Sequence, residues 1–204
     1  MGCRLYLVRH GETAWNAGLK FQGHTDVPLS QRGIEQAGSL ARRLNNRKFT
    51  AFYASDLTRA IETAEIVAVP HGLAVKPVPA LREVNFGSWE GLTFKEIKER
   101  FTELAQRWWN NPRDITVPEG ETLAELALRV NGAVRWILEH HLDGQEVVVV
   151  SHGGPIRIII ATMLGMDLNQ YWRLRLDNAC LNIIDFSSSD SGVLALFNDR
   201  SHLE

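Results

Sequence analysis

Short runs of consecutive apolar residues alternate along this chain with segments in which apolar positions return every three or four residues. The first pattern predicts buried strands and the second amphipathic helices. Leu5, Tyr6, Leu7 and Val8 form the first run, and Ile34, Ala37, Leu40, Ala41 and Leu44 then recur at helical spacing behind Ser30 as an N-cap. Residues 51–54 read as the next strand. Ser55 and Asp56 are expected to cap a helix with Ala60, Ile61, Ala64 and Val67 on its apolar face, placing Arg59 near its first turn. Pro70, Pro77 and Pro79 interrupt a weak strand around Val75, and an irregular stretch follows at residues 81–87 with Glu83 on a loop. Thr93 with Glu96, and Thr122 with Glu125, have capping-box spacing and mark two helix starts separated by residues 110–113. The second helix is long, with Leu126, Val130, Ala133, Val134, Ile137 and Leu138 on one stripe, and it leads through Asp143 and Gly144 to Val147, Val148, Val149 and Val150. Pro155 is expected to start another helix, and residues 181–186 and 193–197 to form a hairpin or an adjacent strand pair. Strands alternating with helices predict an α/β protein whose mostly parallel sheet carries helices on both faces.

Two of these strands end alike. Residues 5–8 deliver Arg9, His10, Gly11, Glu12 and Thr13, while residues 147–150 deliver Ser151, His152, Gly153 and Gly154. Open α/β sheets build their crevices at the carboxyl ends of strands, so one site is expected to hold both histidines.

With 204 residues and 45% hydrophobic content, the chain is expected to form one domain. A formal charge of −2 gives no basic surplus for binding a phosphate backbone, which argues against nucleic acid as a partner. No secretory signal is read in the first residues and no stretch approaches membrane-spanning length, so no membrane partner is expected and the cytoplasm is the default location. Cys3 and Cys180 are the only cysteines, too few for a disulfide framework or a zinc cage.

An Arg-His pair, a second arginine, a second histidine and a loop glutamate fit phosphoryl transfer. A neutral imidazole can attack phosphorus near pH 7, which makes His10 the candidate nucleophile. Guanidinium groups pair with phosphate oxygens, so Arg9 and Arg59 are expected to clamp the group, with His152 donating to the same oxygens. Glu83 is the candidate acid for the leaving oxygen and then helps to activate water.

The stretch Leu7-Val8-Arg9-His10-Gly11-Glu12-Thr13 resembles the signature of the histidine phosphatases, the phosphoglycerate mutase-like superfamily. Residues 55–64, the element Leu81-Arg82-Glu83 and Ser151-His152-Gly153-Gly154 resemble that family's other blocks, in its order. The resemblance covers nearly the whole chain. It implies a three-layer α/β/α sandwich, a transient phosphohistidine on His10 and a phosphate pocket of Arg9, Arg59 and His152, with no metal and no cofactor. By the same resemblance Asn16 falls in the phosphate-binding loop and Gly153 offers a backbone amide. Residues 84–120 are expected to form a helical excursion near the substrate.

Within the family the reading leans to phosphatase over mutase. Phosphoglycerate mutases usually carry a longer insertion after the glutamate block, where this chain continues with residues 85–91. Residues 82–93 and 198–203 resemble bacterial α-ribazole phosphatases, related to broad-specificity phosphatases. The expected partner is a small phosphorylated metabolite, best α-ribazole 5'-phosphate, with a homodimer left open. The alternative from another class is a catalytically silent module that binds phospho-ligands. Trp108 and Trp109 are expected in the core, with a wall over the substrate or an interface as the alternatives, while Phe21, Phe86 and Trp89 are open to either a core or a leaving-group role. His24, His71, His140, His141 and His202 are assigned no chemistry.

Overall fold

The computed structural model describes residues 2–141, 144–189 and 191–203. In chain order it builds β1 (Cys3–Arg9), α1 (Ala14–Ala17), α2 (Gln31–Leu44), β2 (Ala51–Ala54), α3 (Thr58–Ala68) and β3 (Val75–Pro77). Then come α4 (Phe94–Arg100), α5 (Thr102–Asn110), α6 (Leu123–Glu139), β4 (Glu146–Ser151), α7 (Gly153–Met163), β5 (Leu181–Ser188) and β6 (Ser191–Asp199). Among the described residues the strands make one six-stranded sheet in the order β3-β2-β4-β1-β5-β6. Pairing is parallel from β3 to β1, while β5 and β6 join antiparallel at one edge. The tail is therefore the expected hairpin, with bulges between β5 and β6.

Both faces of the sheet are covered, which explains why β1 and β4 are uninterrupted apolar runs. Tyr6, Val8, Val148 and Val150 point into a core with Leu40, Leu44, Ala60, Ala64 and Val67, contributed by α2 and α3. Leu5, Leu7, Val147 and Val149 point the opposite way, into a core with Val130, Ile137, Ile156 and Ile160 from α6 and α7. These two cores make the three-layer α/β/α sandwich. No helix among the described residues is long and apolar enough to cross a membrane.

Several local expectations are met and others are corrected. Ser30 caps α2 by accepting from Gly33 N, and both capping boxes form, at Thr93 with Glu96 and at Thr122 with Glu125. Ile34, expected on the buried stripe of α2, is 45% exposed. Ser55 and Asp56 do not cap α3: its N-cap is Leu57 without a side-chain bond, because Asp56 is engaged by Arg82 and Ser55 by His152. The α7 helix begins at Gly153, two residues before Pro155. The helix begun at Thr93 breaks at Phe101, giving α4 and α5. Asp143, expected in the α6–β4 connection, lies outside the described residues.

The segment 84–120 carries α4 and α5, and its Val84, Phe86, Trp89, Ile97, Ala105, Trp108 and Val117 belong to the same core as α6 and α7. Trp108 is buried, with Trp109 packed beside it at a ring separation of 5.2 Å. Trp89 is fully buried and stacks on Trp109.

Candidate active site

Strand register alone brings the two histidines together. Arg9 is paired with Ser151 across the β1–β4 ladder, and His10 N donates to Ser151 O at 3.0 Å. The next residue on each strand is a histidine, and their ring centroids lie 5.0 Å apart. On the other side of β4, Ser55 N donates to Val150 O at 2.9 Å, so β2 ends at the same level and α3 starts beside it. Arg59, in the first turn of α3, is thereby buried at the same sheet edge.

The ring of His10 is fixed by Nδ1, 2.7 Å from the carbonyl oxygen of Gly11. A carbonyl can only accept, so Nδ1 carries the proton and Nε2 keeps its lone pair. Burial, reinforced by the charges of Arg59 and Arg9, holds the His10 pKa well below the usual imidazole value, and the ring is neutral at pH 7. His152 is depressed in the same way, by burial first and then by Arg59 and His10. Its Nε2 lies 2.8 Å from Ser55 Oγ.

The arginines are anchored by backbone carbonyls and not by carboxylates. Arg59 donates from Nη1 to Thr25 O at 3.0 Å and from Nη2 to Gly23 O at 2.8 Å. Arg9 donates from Nη1 to Leu176 O at 2.6 Å. Burial lowers the Arg59 pKa to about 10 and also lowers that of Arg9, with Arg157 adding to the second shift. Both remain cations at neutral pH. Among the described residues, Arg9 Nε, Arg59 Nε and His152 Nδ1 are buried nitrogens without a protein partner. Such groups are costly in a folded protein unless something binds there.

Arg9, His10, Asn16, Arg59, Glu83 and Gly153 line one cavity of about 240 Å³. Glu83 reaches it from the loop after residue 81, with Oε1 accepting from Val84 N and Gly154 N, both at 2.9 Å. That leaves Oε2 as its free oxygen. A Cβ on Gly154 would lie 2.3 Å from Glu83 Oε1, so this contact needs glycine there. Gly153 opens α7, whose N-terminal dipole favours an anion at that end. Asn16 lines the cavity and also serves its own turn: its Oδ1 accepts from Thr13 N and from Asn178 Nδ2.

Sequence reasoning missed six lining residues: Leu19, Lys20, Gln22, Arg157, Tyr171 and Trp172. Gln22 is buried and donates to Thr13 Oγ1 at 2.7 Å. Arg157 brings a third guanidinium, fixed by its Nε bond to Leu174 O at 2.7 Å and lying over the faces of Tyr171 and Trp172. Its place on α7, one turn beyond Gly153, was the available signal; nothing local marks the other five. Phe21 and Phe86 do line the cavity, whereas Trp89 sits behind them and Trp108 reaches it only through Phe86 and Trp172. Among the described residues no group of three or more His, Cys, Asp and Glu side chains is placed to hold a metal. The arrangement is suited to a tetrahedral oxyanion: a free imidazole nitrogen, unpartnered donors beside it, and a carboxylate oxygen at the cavity wall.

The family model of the histidine phosphatase superfamily (branch 1) matches residues 5–200. A protein of Yersinia pestis (strain Pestoides F) named probable phosphoglycerate mutase GpmB is 36% identical over 205 residues, covering 98% of this chain and 95% of that one. Among solved structures, Bacillus stearothermophilus YhfR superposes with a TM-score of 0.92 at 32% identity, covering 99% of this chain and all of that one. A putative alpha-ribazole-5'-P phosphatase from Escherichia coli K-12 MG1655 superposes with a TM-score of 0.88 at 33% identity, with 98% of each chain covered. From the match to nearly its full length, and from likenesses that span both partners, the chain belongs to the histidine phosphatase superfamily.

Proposed function

We propose that this protein hydrolyses a small phosphomonoester through a phosphohistidine on His10. One observation carries the reading: the buried nitrogens Arg9 Nε, Arg59 Nε and His152 Nδ1 have no protein partner, Arg9 and Arg59 line the cavity with a neutral His10, and the His152 ring, outside that lining, lies 5.0 Å from the His10 ring. His10 Nε2 attacks phosphorus and the bond from phosphorus to the ester oxygen breaks. The leaving oxygen takes a proton from Glu83, whose free Oε2 is the donor. Water then attacks the phosphohistidine and returns a proton to Glu83, and inorganic phosphate leaves with the imidazole neutral again. Ser55 donates to His152 Nε2 in this scheme, keeping the His152 proton on Nδ1, where it meets the phosphate. Arg9, Arg59, Asn16 and the Gly153 amide bind the transferred group.

For the leaving group we propose α-ribazole 5'-phosphate as the first substrate. Phe21, Phe86 and Trp172 give the cavity an aromatic wall suited to a flat apolar group, and the E. coli neighbour carries that name. Phosphoglycerate mutase is the second reading. The Yersinia relative of that name is matched over 95% of its length, so a missing insertion does not separate this chain from it. Lys20 and Arg157 add cations at the wall for a carboxylate. A cytoplasmic setting goes with either, since Cys3 and Cys180 are buried free thiols.

The test follows product formation from α-ribazole 5'-phosphate, 3-phosphoglycerate, 2,3-bisphosphoglycerate, sugar phosphates and an aryl phosphate, with His10→Ala as control. Phosphate release abolished by His10→Ala, with the highest kcat/KM on α-ribazole 5'-phosphate, is expected. Comparable rates on all esters would make it a broad-specificity phosphatase, and isomerisation of 3-phosphoglycerate without phosphate release a mutase. Phosphate binding without turnover would leave a binding module.

A further inference from the structure

Glu83 is held from two directions, its carboxylate from the cavity side and its backbone from the far side. On the cavity side its Oε1 takes the Val84 and Gly154 amides. On the far side the guanidinium of Arg129, on α6, reaches across to the loop that carries Glu83. Arg129 Nη1 donates to Ala80 O and Arg82 O, both at 2.8 Å, and Nη2 donates to Glu83 O at 2.8 Å. Its Nε donates to Glu121 Oε2 at 2.9 Å, and Nη2 also donates to Glu121 Oε1. A guanidinium has five N–H donors, and here each is matched to an acceptor.

Glu121 is tied to the same loop by its own contacts. Its Oε1 accepts from Asn85 N at 2.8 Å, and its backbone N donates to Asn85 O at 3.0 Å. The Glu83 carbonyl takes a further bond from His24 Nε2 at 3.0 Å. Residues 80–85 have no strand or α-helix ladder to occupy these carbonyls, so the arginine fills a place that regular structure fills elsewhere. Arg129 and Glu121 are both outside the cavity lining.

We infer that Arg129 and Glu121 are positioning residues for the proposed acid: they fix the backbone of residues 80–85 so that Glu83 Oε2 meets the leaving oxygen. The inference rests on the hydrolase reading given above. Proton transfer depends steeply on donor geometry, so loss of the brace slows the step that needs the proton and spares binding.

Arg129→Lys and Glu121→Gln separate this from a merely structural tie, because a lysine keeps the charge but not the planar five-donor fork. Each is compared with wild type and Glu83→Gln on an alkyl phosphate, whose leaving group needs protonation, and on p-nitrophenyl phosphate, whose leaving group does not. The expected result is a loss in kcat/KM, which ends at release of the leaving group and excludes the later attack of water, of about 10–100-fold on the alkyl ester and under about threefold on the aryl ester. The pattern should be a weaker copy of that in Glu83→Gln. Added guanidinium should restore part of the alkyl rate to Arg129→Ala, if that variant folds by its thermal melt. Equal losses on the two esters, or wild-type alkyl rates in folded variants, would overturn the inference while leaving a His10-dependent hydrolase intact. Wild-type protein without His10-dependent turnover of the aryl ester would overturn the hydrolase reading and the brace with it.

Discussion

His10 and His152 sit deep in the fold as neutral imidazoles, which couples stability to pH. Burial and the neighbouring guanidiniums depress both pKa values, so in the folded state neither ring gains a proton near its unfolded value of about 6.5. The unfolded chain does gain those protons as pH falls. Their contribution is therefore complete above pH 6.5 and shrinks from there down towards the depressed folded values. The expected slope below pH 6.5 approaches about 1.4 kcal/mol per pH unit for each histidine. Asp56 and Asp199, held below the usual carboxylate range by Arg82 and Arg43, lose their contribution only at lower pH and do not mask it. His71 and His202 are lowered by burial too and add to the slope, so urea unfolding at pH 7, 6 and 5 is read in a His71→Gln/His202→Gln variant, where a flat profile would mean that the two site rings are charged inside the fold. That Arg9, His10, Arg59, Glu83 and His152 meet at one sheet edge was legible in the sequence because they stand at strand ends, at a helix start or on a loop beside them. Gln22 was not, since its place depends on how residues 11–30 fold back over the strand end. Ser55 was misread as a cap because its partner, His152, is remote in sequence.

At the level of elements, the start of α7 performs two tasks. It closes the β4 strand, and its second residue holds the Glu83 carboxylate through a backbone amide. Gly154→Ala tests this junction, because the added methyl would sit 2.3 Å from Glu83 Oε1 and 2.7 Å from Val84 Cγ2. The protein should fold, as alanine suits a first helical turn, but with Glu83 displaced. A drop in kcat/KM of about tenfold or more on alkyl phosphates, with a smaller drop on aryl phosphates, is expected from steady-state kinetics. An unchanged alkyl rate would show that Glu83 tolerates the shift. The sequence marked the capping boxes of α4 and α6 correctly, for those bonds are local. It did not mark the break at Phe101, which is decided by packing of α4 and α5 as a pair.

For the molecule as a whole, the aromatic layer of segment 84–120 joins the cavity wall to the main core. Trp108 is 1% exposed and meets Phe86 and Trp172, both on the cavity wall. Trp108→Ala should lower unfolding free energy by about 3–5 kcal/mol and raise KM, measured by denaturant titration and steady-state kinetics. A loss below about 1 kcal/mol would mean the layer is not part of that core. The α/β class was legible from alternating runs because burial of both sheet faces writes itself into β1 and β4. Strand order was not, since pairing between distant strands leaves no local mark.

That order has a consequence for how the protein comes into being. Of the six strands β1 is made first, and it finds its two partners only in β4 and β5, about 140 and 180 residues later. Until then Leu5, Tyr6, Leu7 and Val8 form an apolar strand with both edges unsatisfied, the kind of segment that invites aggregation or a chaperone. His10 and His152 become neighbours only in the same event, so a chain cut short before residue 152 lacks the paired histidines of the site. Assembly of the site is thus tied to the pairing of β1 with β4 and cannot precede it.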